Sequence, residues 1–216
     1  MSLDVRLIAI LDPVPLGERA LDAARAAEAG GATILQVRMK DSPADDLLRW
    51  TDRLVKALTI PVMVNDRADV AWLAGAAGVH LGADDLPAAR VRRHSPSPFA
   101  VGVSVGIPDE AAAVQSADVD YWSIGSVYAT PSKPDAGAPI GAAGFRELAS
   151  RAPRGMPCVA IGGITVERVP ELRGAGVAGV AVIGAIFGAV DVERAARLLR
   201  DAMDAPRRLS GEGVGQ

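Results

Sequence analysis

The sequence predicts an α/β protein, a single (β/α)8 TIM barrel with parallel strands. Short apolar runs rich in β-branched residues alternate with stretches of helical period from one end of the chain to the other. Hydrophobic residues make up 50% of the 216 and aromatics only 4%, with Ala, Val, Leu and Gly prominent. That mixture suits strands buried on both faces beneath helices with small side chains. The length suits one closed barrel. Periodicity does not reveal closure, so an open doubly wound sheet is the alternative.

The expected strands are 6–11, 33–38, 61–65, 78–81, 99–104, 121–125, 157–161 and 179–183. Each is a short apolar run bounded by Gly, Pro, Asn or Asp. Helical period falls in 17–29, 43–57, 68–74, 87–93, 109–116, 142–151, 166–175 and 190–202. Gly30 and Gly31 mark the end of the first helix, and Gly174 and Gly176 the end of the seventh. The barrel is expected to occupy residues 1–205. The stretch 206–216, rich in Gly, Arg and Ser, reads as a flexible C-terminal tail.

Composition excludes several function classes. A formal net charge of −3 gives no reason to expect nucleic acid or an anionic membrane as partner, so an anionic ligand must be attracted by a local cluster of cations. Cys158 is the single cysteine, which rules out an intramolecular disulfide and argues against a Cys-based zinc site. It lies in an apolar run and reads as a small core residue. The N-terminal apolar run 7–11 is short and followed by Asp12-Pro13, so it lacks a signal-peptide pattern, and no stretch is long enough to span a bilayer. A cytoplasmic protein acting on small molecules is expected, with a homo-oligomer compatible with a barrel of this size.

Polar residues gather at the C-terminal ends of the expected strands, where a (β/α)8 barrel carries its chemistry. The second strand closes in Gln36-Val37-Arg38-Met39-Lys40, and alternation would send Gln36, Arg38 and Lys40 to one side. Two cations there suit a diphosphate, while a solvated loop edge is the plainer reading. The third strand ends in Asn65-Asp66-Arg67 and the fourth runs into Asp84-Asp85. Asp66 and Asp85 would hang over one rim beside those cations, as a Mg²⁺ site bridged to phosphate oxygens requires; the same residues could cap the helices that follow. His80, inside an apolar run, reads as a hydrogen-bonded structural residue, and His94 as an exposed one.

The sixth strand leads into Gly125-Ser126-Val127-Tyr128-Ala129-Thr130-Pro131-Ser132-Lys133. Hydroxyls from Thr130 and Ser132 with the Lys133 ammonium suit phosphate oxygens. Gly162 and Gly163 after strand seven, and Gly184 after strand eight, would let backbone N–H groups close on a phosphate or would serve tight turns.

In this order and placement, the motifs resemble the thiamine phosphate synthase family, which joins a pyrimidine diphosphate to a thiazole phosphate and releases diphosphate. The resemblance covers residues 6–188 and includes Gly102-Val103-Ser104 and Val180 to Ile186. It implies that Gln36, Arg38, Lys40, Asn65, Ser104 and Lys133 hold the pyrimidine diphosphate, with Arg38, Lys40, Ser104 and Lys133 carrying the catalysis. It further implies that Asp66 and Asp85 bind Mg²⁺, and that Thr130, Ser132, Gly163, Ile183 and Gly184 hold the thiazole phosphate. The family reaction is dissociative, with diphosphate leaving before the thiazole nitrogen attacks.

Gly106 stands where the family and its relatives usually have histidine, Ser132 where a second threonine is frequent, and Met39 where an acidic residue is frequent. Rival readings are a thiazole tautomerase of the same superfamily and a non-catalytic binder of thiazole or thiamine phosphate. The tautomerase relies on the histidine that Gly106 replaces. Retention of the cations and both aspartates favours the synthase over either.

Overall fold

The computed structural model describes residues 3–131 and 137–206. Eight strands, β1 (Leu7–Leu11), β2 (Ile34–Val37), β3 (Val62–Asn65), β4 (Gly78–Leu81), β5 (Ala100–Val105), β6 (Tyr121–Ile124), β7 (Cys158–Ile161) and β8 (Gly179–Val182), form one closed barrel in chain order. Every pairing is parallel, and β8 closes on β1 through the register Leu7↔Val180. Closure removes the open-sheet alternative and leaves no unpaired edge.

Helices cover the outside: α1 (Arg19–Ala29), α2 (Ala44–Ala57), α3 (Ala68–Leu73), α4 (Ala88–His94), α5 (Pro108–Val114), α6 (Gly141–Ala149), α7 (Val169–Gly174), α8 (Gly184–Phe187) and α9 (Val192–Asp204). The expected seventh helix, 166–175, is present as α7, but its first three residues, Val166–Arg168, form a 3-10 turn that leads into it. The four-residue α8 was not anticipated, since one turn shows no period. None of these helices is long and apolar enough to cross a membrane.

Strand alternation divides the barrel's hydrophobic residues into two layers. Leu7, Leu35, Val64, Val79, Val103 and Trp122 face outward and pack under the helices. Ile8, Ile10, Ile34, Met63, Tyr121 and Val159 form a separate inner cluster. Gly102 makes room for the Tyr121 ring, because a Cβ there would lie 2.2 Å from the ring's Cζ. Gly30, at the end of α1, similarly admits α9: a Cβ there would lie 2.6 Å from that of Ala196. On α9, Asp191 caps the helix by accepting a 2.9 Å bond from the Arg194 N–H. Cys158 is buried in the outer layer, and burial pushes its thiol up to about 11. It is a core residue with no nucleophilic thiolate at neutral pH.

Candidate active site

The barrel interior becomes polar toward the C-terminal ends of its strands. Gln36 and Asn65 are inward-facing residues of β2 and β3, and the Gln36 amide donates a 2.7 Å hydrogen bond to Asn65 Oδ1. Gln36 is 3% exposed, so this bond fixes the amide's orientation where water is scarce. In the next strand His80, level with Asn65, is 5% exposed. Its Nδ1 lies 3.0 Å from the Tyr121 hydroxyl and its Nε2 3.0 Å from Ser104 Oγ. A neutral ring donates through one nitrogen and accepts through the other, so both contacts are met by either tautomer. Burial, with the nearby Asp120 charge, pushes the Tyr121 phenol far up, and it stays protonated. His80 is thus the hydrogen-bonded structural histidine expected from sequence, and it orients Ser104.

Above this floor, the chain turns sharply after β3. Asp66 adopts a positive φ of 66°, a region that aspartate enters more readily than most residues. The Asp66 N–H donates to the His80 carbonyl at 2.7 Å and the Arg67 N–H to the Asn65 carbonyl at 2.8 Å. The turn brings the Asp66 carboxyl within hydrogen-bonding reach of Asp85. Asp85 is held in place by the Gly82 N–H, which donates to its Oδ2 at 2.6 Å. Burial pushes Asp66 up to about 7, the neighbouring Asp85 adds to the rise, and the positive charges of Arg38 and Lys40 oppose it. Neither α3 nor α4 has a side-chain cap, so capping is not what these aspartates do.

Strand β2 stops at Val37, one residue short of the expected end, so Arg38 and Lys40 stand on the loop and not on the strand face. The Arg38 N–H still donates to the Leu11 carbonyl at 2.9 Å, keeping the loop's start in line with β1. Arg38 is half-buried and Lys40 exposed, while Met39 packs against the outer core. Gln36, Arg38, Lys40, Asn65, Asp66, Asp85 and Ser104 therefore gather around one part of the rim. Asp85 and Ser104 also line a cleft of about 290 Å³ between α4 and α5, together with Glu110.

A second group lies across the mouth, on β6 to β8. The loops after β6 and β7 continue side by side, with Val127 N–H donating to the Ile161 carbonyl at 2.8 Å and Tyr128 N–H to the Gly162 carbonyl at 3.0 Å. Gly162 and Gly163 have φ values of 96° and 63°. Side chains would not fit: a Cβ on Gly162 would sit 2.0 Å from Ser126 Oγ, and one on Gly163 2.5 Å from the Ala129 carbonyl. Ile183 is the N-cap of α8 and Gly184 its first residue, with open space beside the position of a Cβ on Gly184. Thr130 is half-buried on the same loop as Tyr128. Ser132 and Lys133 lie outside the described residues, as does 207–216 of the expected tail.

Some groups in and around the site were not anticipated. Tyr121 reads in the sequence as an ordinary strand residue, and only its register opposite Gly102 in the folded barrel sets it against His80. Glu110 accepts a 2.6 Å bond from the Gly106 N–H and so ties α5 to the end of β5. Arg168 and Tyr128, on neighbouring loops, stack with the guanidinium carbon 4.4 Å from the ring centre.

Fold and site together define a (β/α)8 barrel with a paired-carboxylate rim facing a glycine-lined one. Residues 7–186 match the family described as thiamine monophosphate synthase, and the chain belongs to that family. The chain is 44% identical over 194 residues to the thiamine-phosphate synthase of Methanoculleus marisnigri, covering 88% of this chain and 91% of that protein. It is 42% identical over 195 residues to the thiamine-phosphate synthase of Moorella thermoacetica, covering 88% and 91%. Among solved structures, it is similar to a thiamine phosphate pyrophosphorylase from Pyrococcus furiosus, with a TM-score of 0.82, 33% identity, and coverage of 93% and 96%. A 3-hexulose-6-phosphate synthase matches with a TM-score of 0.70 at 21% identity and shares the fold.

Proposed function

We propose that this chain is a thiamine phosphate synthase: it joins 4-amino-2-methyl-5-hydroxymethylpyrimidine diphosphate to a thiazole phosphate and releases diphosphate. The observation that carries the reading is the facing pair Asp66 and Asp85 beside the positive charges of Arg38 and Lys40. Two carboxyls so close repel one another when both are ionised, and a divalent cation removes that conflict. Among the described residues no third carboxylate, histidine or cysteine joins them. That donor set fits Mg²⁺, which takes one or two carboxylates and fills its remaining positions with water and phosphate oxygens. Asp66 and Asp85 would hold it, and when bound it would neutralise charge developing on the departing diphosphate.

The chain's own residues supply the rest. Arg38 and Lys40, with Lys133, bind the diphosphate oxygens and stabilise the leaving group as the C–O bond breaks toward oxygen. Gln36, Asn65 and Ser104 hold the pyrimidine, with Ser104 oriented by His80. Thr130, Ser132, Gly163, Ile183 and Gly184 hold the thiazole phosphate so that its ring nitrogen faces the exposed carbon. The nitrogen lone pair forms the new C–N bond, and no proton has to move. A proton-shifting tautomerase is less well supported, since Gly106 has no side chain and His80 is engaged at both nitrogens. The protein is read as a cytoplasmic transferase.

The test is to incubate the purified protein with both substrates and Mg²⁺ and to follow thiamine phosphate by chromatography. Product that requires both substrates is expected. Tight binding of the thiazole phosphate with no product would instead favour the non-catalytic binder.

A further inference from the structure

Gly162 and Gly163 both have positive φ, and without side chains nothing on them restrains the backbone. A phosphate cradle made of such residues has to be held from outside. The carbonyl of Gly162 accepts from the Tyr128 N–H at 3.0 Å. The carbonyl of Gly163 accepts from the Arg168 guanidinium. Peptide planarity then aims the following N–H groups, those of Gly163 and Ile164, in the opposite directions. Arg168 is itself braced, lying 4.4 Å over the Tyr128 ring. The Tyr128 hydroxyl in turn donates to Glu171 Oε2 at 2.7 Å. The loop after β6 and the loop after β7 are in this way fastened through side chains as well as backbone.

We infer that Arg168 is a positioning residue for the phosphate end of the site, clamping the Gly162-Gly163 turn against the Tyr128 loop so that its N–H groups meet the thiazole phosphate. The inference rests on the reading of Gly163 and Gly184 as phosphate contacts. Arginine suits the role better than lysine, because a planar guanidinium can stack on the ring and reach the carbonyl at once.

Arg168→Ala, Arg168→Lys, Tyr128→Phe and Tyr128→Leu are compared in steady-state kinetics, with thiazole phosphate affinity measured directly by calorimetry. Arg168→Ala is expected to raise both KM and Kd for the thiazole phosphate about tenfold, with kcat and the KM for the pyrimidine diphosphate within about twofold of wild type. Arg168→Lys is expected to recover only part of that loss. Tyr128→Phe, which keeps the stack but loses the Glu171 bond, should raise the thiazole phosphate Kd by no more than about threefold, and Tyr128→Leu should resemble Arg168→Ala. Equal increases in both KM values, or an unchanged thiazole phosphate Kd in Arg168→Ala, would overturn the clamp. If the wild type binds thiazole phosphate but forms no product, the synthase reading fails, and the calorimetric comparison still decides the clamp. If the wild type binds no thiazole phosphate, both fall together.

Discussion

At the scale of single residues, the site depends on side chains whose orientation is fixed by a buried neighbour. His80 is the clearest case, because its two nitrogens serve the Tyr121 hydroxyl and Ser104 Oγ in a nearly dry interior. Replacing it with leucine strands a buried phenol and frees Ser104 to rotate. His80→Leu is expected to destabilise the fold by about 2–4 kcal/mol, the range for orphaning buried polar groups, read from the urea midpoint. It should also lower turnover more than tenfold, while His80→Asn, which keeps a donor and an acceptor, recovers part of both. Unchanged stability in His80→Leu would mean that the three groups are not coupled. The sequence shows His80 in an apolar run and thus a satisfied structural histidine, but not its partners. Those come from strands β5 and β6, and only the barrel register brings them together.

At the scale of elements, the joints between helices and strands carry testable electrostatics. Glu28, near the end of α1, accepts from the Thr59 N–H at 2.7 Å, the Thr59 hydroxyl at 2.7 Å and the Ile60 N–H at 3.0 Å. Burial works against its charge, but these bonds outweigh that and hold the carboxyl below its usual range. A depressed carboxylate contributes stability that is present above its unfolded pKa and is lost as pH falls through the folded one. Glu28→Gln is therefore expected to lower stability at pH 7 by about 1–2 kcal/mol. The difference from wild type should shrink steadily below about pH 4.5, near the ordinary glutamate value. Denaturant titrations across pH check this, and a difference that does not vary with pH would contradict it. The elements themselves were legible from period and composition, with ends within about two residues of their places. Helix α8 escaped because a four-residue turn has no periodicity. Arg38 and Lys40 lie beyond the end of β2 at Val37, in a loop where the period of two no longer sets which way a side chain points.

At the scale of the whole molecule, closure turns scattered motifs into a site. Asp66 follows β3 and Asp85 follows β4, and they face one another only because those strands pair in parallel with Asn65 level with His80. The expected juxtaposition of the two aspartates was readable from strand order alone. The raised Asp66 was not, because it depends on burial and on how closely Asp85 approaches. With a net charge of −3, the molecule does not draw anionic substrates by its overall field, so the cations at the rim must do so locally. The most direct measurement is therefore Mg²⁺-dependent diphosphate release by the wild type, Asp66→Ala, Asp85→Ala and the double variant, with thiazole phosphate affinity measured alongside. Each single variant is expected to lose at least about 99% of turnover, the scale of losing a transition-state charge stabiliser, with thiazole phosphate affinity within about twofold of wild type. Turnover near the wild-type level in both single variants would contradict the paired-carboxylate account.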